Sequence, residues 1–237
     1  MAESSHPGPA STRERILATA AKLLAEGGRE AVSTRAVNMA AGVQAPTIYR
    51  LFGDKQGLLD AVAEYGIQQY LAGKVEAPLS LDPVEDLRQG WDQHVAFGLE
   101  NPALYALIYG EPRPGPPSPA AQVATDMLAR KIQRIAESGR LRVSEALAAD
   151  LVHALASGTT LALIGMPPSA HRQALADLAR EAAISAITTG EPPAAVNGAA
   201  NLAVALRAAL PQTTVLTDAE TGLLQEWLDR IATPGSA

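Results

Sequence analysis

The sequence predicts an all-α protein, and three observations lead to this fold class. Hydrophobic residues make up 47% of the 237 residues but aromatic residues only 4%, so the apolar content comes mainly from Ala, Leu, Val and Ile, of which Ala and Leu favour helices. Apolar residues recur at helical spacing, and no segment of any length alternates like a strand. Capping boxes open two of the periodic segments. We therefore expect helices joined by Gly- and Pro-rich loops.

The first helix is bounded by clear signals at both ends. Residues 1–10 contain Pro, Gly and Ser and no apolar run, so they predict a disordered arm and no signal peptide. Ser11 and Glu14 are the ends of a capping box that precedes apolar residues at helical spacing. Two glycines at 27 and 28 are expected to end this helix near Glu26.

Two short helices separated by a glycine turn come next. Ser33 can cap the second helix, whose inward side is predicted to hold Ala36, Val37 and Ala40. Gly42 can adopt the left-handed conformation that turns the chain sharply. A third helix then runs over about 45–51, because Pro46 is tolerated in a first turn. A short helix held by a tight turn fits the major groove of DNA, so this segment predicts a helix-turn-helix unit.

The rest of the chain repeats the helical pattern between breaks. Asp54 is expected to cap a fourth helix. Pro- and Gly-containing breaks follow at 78–83, 101–102, 111–119 and 190–198. Further helices are expected near 120–138, from Ser144 to about Met166, between Pro168 and Gly190, up to Leu210, and after a capping box at 217–220.

The net charge of −6 is unevenly distributed along the chain. Residues 11–60 hold seven Lys/Arg and five Asp/Glu, which leaves +2 there and −8 in the remainder. Affinity for DNA depends on local positive charge near phosphates, so the acidic total argues only against promiscuous binding. The absence of cysteine excludes disulfides and thiolate metal sites, and a cytoplasmic location is expected. The longest apolar stretch, 151–166, is interrupted by polar residues and too short to span a bilayer, so no membrane association is expected.

The segment from Ile16 to Val62 resembles the TetR family of bacterial transcription regulators. The match lies in the order of Gly27-Gly28, Ser33-Thr34-Arg35, Ala40-Ala41-Gly42-Val43, Thr47-Ile48-Tyr49-Arg50, Phe52, Asp54-Lys55 and Leu58-Leu59. The resemblance covers the first quarter of the chain. It implies a three-helix DNA-binding domain at 11–56, a larger helical ligand-binding and dimerisation domain at 57–237, and ligand-controlled release of operator DNA, usually with repression as the outcome.

The resemblance also implies a set of DNA contacts. Phosphate contacts are expected from Thr47, Tyr49 and Lys55, which match family positions of that role. Base contacts are expected from the exposed start and outer face of the third helix, at Gln44, Ala45, Pro46 and Arg50. A further phosphate can bind at the start of the second helix, on Ser33, Thr34 and Arg35. Ordinary surface or packing roles remain the alternative for Tyr49, Arg50 and Lys55.

Three neighbouring positions are left out of this contact set. Ile48 and Phe52 are expected to pack inward. Leu51 stands where many family members carry Tyr or His, so one ring contact to DNA is missing here, and Leu51 is interpreted as a core residue instead.

Small and aliphatic residues repeat along two later helices and predict a packing surface. The residues are Leu151, Ala154, Leu155, Gly158 and Ala162 on one helix, and Leu175, Leu178, Ala179, Ala182, Ala183 and Ala186 on the other. In the family these helices form a four-helix bundle with their copies in a homodimer, while packing within one chain is the alternative. A two-fold dimer places recognition helices in major grooves about 34 to 36 Å apart, which predicts a palindromic operator.

Polar and aromatic residues on apolar helices predict a pocket for a small, largely hydrophobic effector. They are Trp91, His94, Phe97, Tyr105, Tyr109, His153 and Thr160, each of which also fits an ordinary core. The sequence contains no GxSxG, HExxH, GxGxxG or GxxxxGK[ST] motif and only four His, so no catalytic residue, metal or cofactor is expected. The alternative function is a helical protein-interaction module that uses this fold without specific DNA binding. The operator sequence, the effector, the sign of regulation and the role of helices 199–231 are left open.

Overall fold

The computed structural model describes residues 11–72, 80–111, 118–189 and 199–232. Over these ranges it contains eleven α-helices, a 3-10 turn and no strand, which confirms the all-α prediction. The helices are α1 (Thr12–Ala31), α2 (Thr34–Ala41), α3 (Ala45–Phe52), α4 (Lys55–Ala72), α5 (Pro83–Glu100), α6 (Pro102–Tyr109), α7 (Pro119–Glu137), α8 (Glu145–Ile164), α9 (Ala170–Ile187), α10 (Ala199–Ala209) and α11 (Asp218–Ala232). The predicted arm at 1–10, the linker at 190–198 and most of the break at 111–119 lie outside the described residues.

The chain divides into two compact units. The N-terminal unit comprises Met1–Ala77 and Glu100–Gln122, and the second unit comprises Pro78–Leu99 and Val123–Ala237. Helices α1 to α4 and α6 therefore belong to the N-terminal unit, and α8 to α11 belong to the second. The functional division into a DNA-binding domain at 11–56 and a regulatory domain at 57–237 stays a prediction.

Helix α1 begins at the predicted capping box and passes the predicted end. The Glu14 amide donates to Ser11 Oγ at 3.2 Å, and the Ser11 amide donates to Glu14 Oε2 at 2.7 Å. Gly27 and Gly28 have the non-helical φ values −138° and 67°, yet helical turns resume and continue to Ala31. The glycines therefore kink the helix, whereas the sequence had predicted its end near Glu26.

Apolar faces of the four N-terminal helices meet in one core. It contains Ile16, Leu17, Ala20 and Leu24 of α1, Val37 and Ala41 of α2, Ile48 of α3, and Leu58, Leu59 and Val62 of α4, all buried. The prediction that Ala40 faces inward is wrong, because Ala40 is exposed and Ala41 is buried. Val37 and Ala41 lie four positions apart, which places them on the same side of a helix with 3.6 residues per turn.

The second unit has a larger core built from five helices. Its buried residues include Leu87, Trp91 and Val95 of α5, Ile132 and Ile135 of α7, Val152, Ala156 and Leu163 of α8, Ala183, Ile184 and Ile187 of α9, and Val204 and Ala208 of α10. A salt bridge joins the buried carboxylate of Asp86 to Arg134, whose guanidinium also donates to the Ser80 carbonyl at 3.0 Å. This polar contact ties α5 to α7.

The last two helices share a small core of their own. Ala203, Leu210 and Leu228 are buried there. The predicted capping box opens α11, since the Thr217 amide donates to Glu220 Oε2 at 2.9 Å and the Glu220 amide donates to Thr217 Oγ1 at 3.4 Å. Leu228 of α11 is buried, whereas Trp227 is 48% exposed in the single chain.

Candidate nucleic-acid interface

The turn between α2 and α3 is fixed by Gly42. Its φ of 65° and ψ of 39° lie in the left-handed region, where a residue with a Cβ pays roughly 1–2 kcal/mol. The amides of Gly42 and Val43 both donate to the Asn38 carbonyl, the latter at 3.0 Å. These bonds close α2 and set the direction in which α3 begins.

One side of α3 is open to solvent and the other is packed. Ile48 is fully buried, and Thr47 and Leu51 are half-buried. The side chains at 45, 46, 49 and 50 are exposed, and on a helix with 3.6 residues per turn they share one arc of about 140°. Tyr49 presents 54% of its surface. Four of the predicted DNA contacts therefore lie together on the accessible side.

Residues at the helix starts have more varied surroundings. Gln44, at the N-cap of α3, is exposed and makes no side-chain cap hydrogen bond. Ser33, at the N-cap of α2, is half-buried and its Oγ accepts from the Ala36 amide at 3.1 Å. The Ser33 hydroxyl keeps its donor, which a phosphate oxygen can accept. Thr34 is half-buried beside it.

Three predicted cationic contacts carry uncompensated charge. Arg35, Arg50 and Lys55 are exposed, and the described part of the chain offers none of them an ion-pair partner. By contrast, Arg29 pairs with Glu111 and also donates to Gln56 Oε1 at 3.4 Å. Unpaired surface cations are the groups that can neutralise phosphates and release counterions.

The joint between α3 and α4 depends on Gly57, which the sequence analysis did not single out. Asp54 caps α4 as predicted, because its Oδ1 accepts from the Gly57 amide at 2.8 Å. A Cβ at position 57 would lie 2.0 Å from the Phe52 carbonyl oxygen, closer than any real contact. A glycine inside a helix costs about 1 kcal/mol relative to alanine, and that cost is the signal that could have identified it. Lys55 takes its position from this joint.

Phe52 and Met39 lie close in the sequence to the predicted DNA contacts. Phe52 was predicted to pack inward but is half-buried, with the Arg13 guanidinium 5.4 Å from its ring centroid in a cation–π contact. Met39 is 76% exposed and adds an apolar side chain to the outer side of α2. Its position one turn before Gly42 puts it next to the predicted interface in the sequence.

Most of the predicted dimer residues are accessible. On α8, Ala154, Leu155, Gly158 and Ala162 are exposed and Leu151 is half-buried; on α9, Leu178, Ala182 and Ala186 are exposed and Leu175 and Ala179 are half-buried. Ala183 must be removed from this surface, because it is fully buried in the core of its own chain. Among the described helices, only α8 is long and apolar enough to cross a membrane, a test that core helices of soluble proteins also pass.

The seven predicted effector residues are divided between the two compact units, and the pocket that they would line stays a prediction. Tyr105 and Tyr109 belong to the N-terminal unit, where their ring centroids lie 4.6 Å apart and burial raises the pKa of Tyr109. Trp91, Phe97 and Thr160 are buried in the second unit. The Thr160 hydroxyl is already used, since it donates to the Ala156 carbonyl at 2.7 Å.

The two predicted effector histidines differ in exposure. His94 is half-buried and His153 is exposed. Burial, with a contribution from the charge of His153, lowers the pKa of His94 to about 4. His94 is therefore a neutral imidazole at pH 7. The second unit does contain a cavity of about 520 Å³, but it is lined by other residues of α5, α8 and α9.

Comparison with known proteins adds a family match to this geometry. Residues 16–62 match the model of the family described as bacterial regulatory proteins, tetR family. These residues include α2, the Gly42 turn, α3 and the joint at Gly57. No curated protein sequence matches the chain.

Solved structures extend the similarity beyond the matched segment. A protein described as a TetR family transcriptional regulator from Vibrio parahaemolyticus is 25% identical with a TM-score of 0.51, covering 76% of this chain and 99% of that one. A TetR family transcription regulator from Shewanella sp. PV-4 is 19% identical with a TM-score of 0.58, covering 76% and 100%. NalD, described as the secondary repressor of the MexAB-OprM multidrug efflux pump in Pseudomonas aeruginosa, is 18% identical with a TM-score of 0.50, covering 76% and 98%. The helical fold is thus shared over about three quarters of the chain.

Proposed function

We propose that this chain, whose residues 16–62 match the tetR family model, is a cytoplasmic, ligand-responsive transcriptional repressor that binds a palindromic operator as a homodimer. The observation that carries the proposal is the exposed arc of α3, where a phenol and an unpaired guanidinium follow the exposed Gln44 amide at the N-cap, on a helix set by the Gly42 turn. Groups of these types bind base edges and phosphates in a major groove.

Each exposed group receives a role in the proposed complex. Gln44 and Arg50 read bases, because a Gln amide pairs with adenine and an Arg guanidinium with guanine. Tyr49 and Lys55 bind phosphates and fix the register of α3. Ala45 and Pro46 provide apolar contact to a thymine methyl. Arg35 and the free amides at the start of α2 hold a further phosphate, with Ser33 and Thr34 beside them.

The homodimer is supported by the surfaces of α8 and α9. Leu155 and Leu178 expose large apolar side chains on them, and Gly158 has open space where a Cβ would be. Small residues at helical spacing allow the backbone of a second helix to approach closely. A second copy of the chain would cover this apolar surface, and a palindromic operator requires the two α3 helices of the dimer to lie about 34 to 36 Å apart.

Repression and release by a small molecule complete the proposal. A dimer seated over a promoter excludes polymerase, and one similar structure, NalD, is described as a repressor. Release requires an effector that binds the DNA-free state more tightly than the DNA-bound state. The effector of this proposal is a small, largely hydrophobic molecule, because the helices of the second unit are rich in apolar residues.

Selection of bound DNA from a random pool tests the proposal directly. We expect enrichment of an inverted repeat whose half-sites are separated by about one helical turn, or a multiple of it. The variant with both Tyr49→Ala and Arg50→Ala should enrich no sequence, whereas Arg130→Ala on the exposed side of α7 should behave as wild type. A failure of the wild-type chain to enrich any sequence would contradict the proposal and favour a protein-interaction module.

A further inference from the structure

The cavity of about 520 Å³ in the second unit combines an apolar wall with a polar end. Its volume falls in the range of small-molecule sites. The apolar wall comes from Val95 and Leu99 of α5, Leu163 of α8 and Ala176 of α9. The polar end is formed at the start of α9 by Ser169, Arg172 and Gln173. An occupant of this cavity must therefore be amphipathic.

One of the two guanidinium groups at this cavity is fully engaged. Arg180 forms ion pairs with Asp92 at 2.6 Å, Glu181 at 3.0 Å and Asp177 at 3.3 Å. Glu181 is itself bound by Arg88, whose Nε lies 3.1 Å from its Oε1. Three carboxylates compensate the charge of Arg180, so this residue has little attraction left for an anion. Arg180 and Asp92 instead hold α5 against α9.

The other guanidinium, that of Arg172, has no such partner. Its Nε is buried without a hydrogen-bond acceptor, and no carboxylate among the described residues pairs with it. Only its backbone amide is bound, by Ser169 Oγ at 3.2 Å. A buried donor left unsatisfied costs roughly 1–3 kcal/mol, and more when the group is charged. Arg172 as a whole is only half-buried and lines the cavity, so the rest of its guanidinium can meet an anionic acceptor that a ligand supplies.

We infer that this cavity binds an amphipathic monocarboxylate, with the carboxylate on the Arg172 guanidinium and the apolar part along Val95, Leu99 and Leu163. Carboxylate and guanidinium match in shape and form two parallel hydrogen bonds. The Ser169 hydroxyl can donate a third bond, and the first turn of α9 favours a negative charge. Among the described residues that line the cavity, Arg172 is the one cation without an ion pair, and Asp92 also lies in the lining, so a monocarboxylate is favoured over a phosphate dianion.

The regulatory meaning of this site rests on the proposed function. The cavity includes Leu163 near the end of α8 and residues at the start of α9, and these two helices carry the proposed dimer surface. A carboxylate bound there changes the energy of this helix pair, so it can shift the equilibrium between two arrangements of the dimer. The effector proposed above as largely hydrophobic thereby gains a specific anionic group.

Calorimetric titration of the full-length protein tests the site without DNA. The probes are sodium octanoate and sodium 3-phenylpropanoate, each compared with its neutral primary amide. We expect saturable binding of at least one carboxylate below 1 mM and at least tenfold weaker binding of its amide, because the amide has no charge to pair with the guanidinium. Absence of saturable carboxylate binding at 5 mM, or equal affinity for the amide, would overturn the inference.

Matched variants assign the binding to Arg172. Arg172→Gln should weaken carboxylate binding at least tenfold, Arg172→Lys should weaken it several-fold because the forked geometry is lost, and Arg130→Gln on exposed α7 should leave it unchanged. Circular dichroism melting confirms folding, and Arg172→Lys alone decides the matter if Arg172→Gln does not fold. Unchanged affinity in a folded Arg172 variant would refute the assignment.

Operator binding is measured separately on the same samples. Carboxylate binding without any DNA binding would refute the proposed function and leave the cavity assignment intact. Operator binding without carboxylate binding would refute the cavity assignment alone. The two hypotheses therefore fail in different experiments.

Discussion

Each of the helices α3, α8 and α9 buries one side and exposes the other. The exposed side of α3 nevertheless differs in chemistry from the exposed sides of α8 and α9. The α3 surface carries a phenol and a guanidinium, whereas α8 and α9 expose Leu155, Gly158 and Leu178. Unpaired cations are well solvated in water and gain most from a polyanion. Contiguous exposed aliphatic surface gains most from a second apolar surface. In the proposed function the two regions bind two different partners, DNA and another copy of the chain.

The largest expected effect comes from a charge on the apolar surface. Leu178 is 71% exposed, so Leu178→Glu should leave the isolated chain folded. In a symmetric dimer both copies lose an apolar contact of about 2 kcal/mol and bury a carboxylate. We expect the dimer dissociation constant, measured by sedimentation equilibrium, to rise at least a thousandfold. Leu81→Glu, at a fully exposed leucine outside this surface, is the control, and a Leu178→Glu protein that remains dimeric would refute the interface.

The next largest effect is expected from an alanine at Gly57, in the joint between α3 and α4, compared with an alanine at Gly222, where there is open space. Gly57→Ala forces a Cβ onto the Phe52 carbonyl oxygen, and overpacking of this kind costs about 3 kcal/mol. We expect a lower free energy of urea unfolding together with weaker operator binding, because α3 loses its fixed position on α4. Gly222→Ala in α11, where a Cβ meets open space, should instead stabilise the protein by up to about 1 kcal/mol. A Gly57→Ala protein of wild-type stability would contradict the steric argument.

The sequence predicts those features that are set by residues close together in the chain, and it does not predict those that depend on contacts between helices. The caps at Ser11, Asp54 and Thr217 are set by residues three positions apart, so their patterns predicted the helix starts. The inward position of Ala41 and the close approach at Gly57 depend on which side of a short helix meets its neighbour. Neither could be derived from spacing alone, and the Ala40 prediction was wrong for that reason.

Non-local contacts were the harder part of the candidate effector site. The aromatic residues from 91 to 109 lie close together in the chain, yet Tyr105 and Tyr109 belong to one compact unit and Trp91 and Phe97 to the other. Sequence proximity cannot show to which core an aromatic residue contributes. Nothing in the sequence distinguishes Arg172, because a single arginine near a helix start is usually a solvated charge. Its importance appears only once the carboxylates of α5 and α9 are seen to be used by Arg180 and Arg88.

Acid provides a way to weaken the second unit without changing the α3 surface. The pKa of His94 is lowered to about 4 from its ordinary value of 6.5, chiefly by burial. Between these values the unfolded chain binds more protons than the folded chain, so stability is full above pH 6.5 and falls toward pH 4. The loss by pH 5 amounts to about 2 kcal/mol. Both tryptophans, Trp91 and Trp227, lie in the second unit, so fluorescence-detected urea unfolding reports on it.

A variant isolates this contribution from other titrating groups. His94→Asn should reduce the stability difference between pH 7.5 and pH 5, because the imidazole that must stay neutral is gone. His153→Asn is the control variant, because the burial that chiefly lowers the pKa of His94 remains in it, so it should retain most of the pH dependence. If His94→Asn lost as much stability between pH 7.5 and pH 5 as the wild type, His94 would not be the cause of that loss.

On the proposed DNA surface, removing a base-reading residue should weaken operator binding more than removing a phosphate-binding residue. Arg50→Ala removes an exposed guanidinium that makes no ion pair with a described residue, so folding should be unaffected. We expect a loss of about 2 kcal/mol on the preferred operator and relaxed selectivity at one base position. Fluorescence anisotropy with operators mutated one position at a time measures both. Equal weakening on every operator would reassign Arg50 to a phosphate.

Lys55 should show the smallest effect and the opposite signature. Its unpaired ammonium at the start of α4 attracts phosphates without reading bases, so Lys55→Ala should weaken all sequences alike, by less than about 1 kcal/mol, and reduce the salt dependence by about one phosphate contact. Lys22→Ala is the matched control, because Lys22 is exposed but lies 3.8 Å from Glu26 on α1. If Lys55→Ala altered base preference instead, the start of α4 would take part in recognition, and the α3 arc would no longer account for specificity alone.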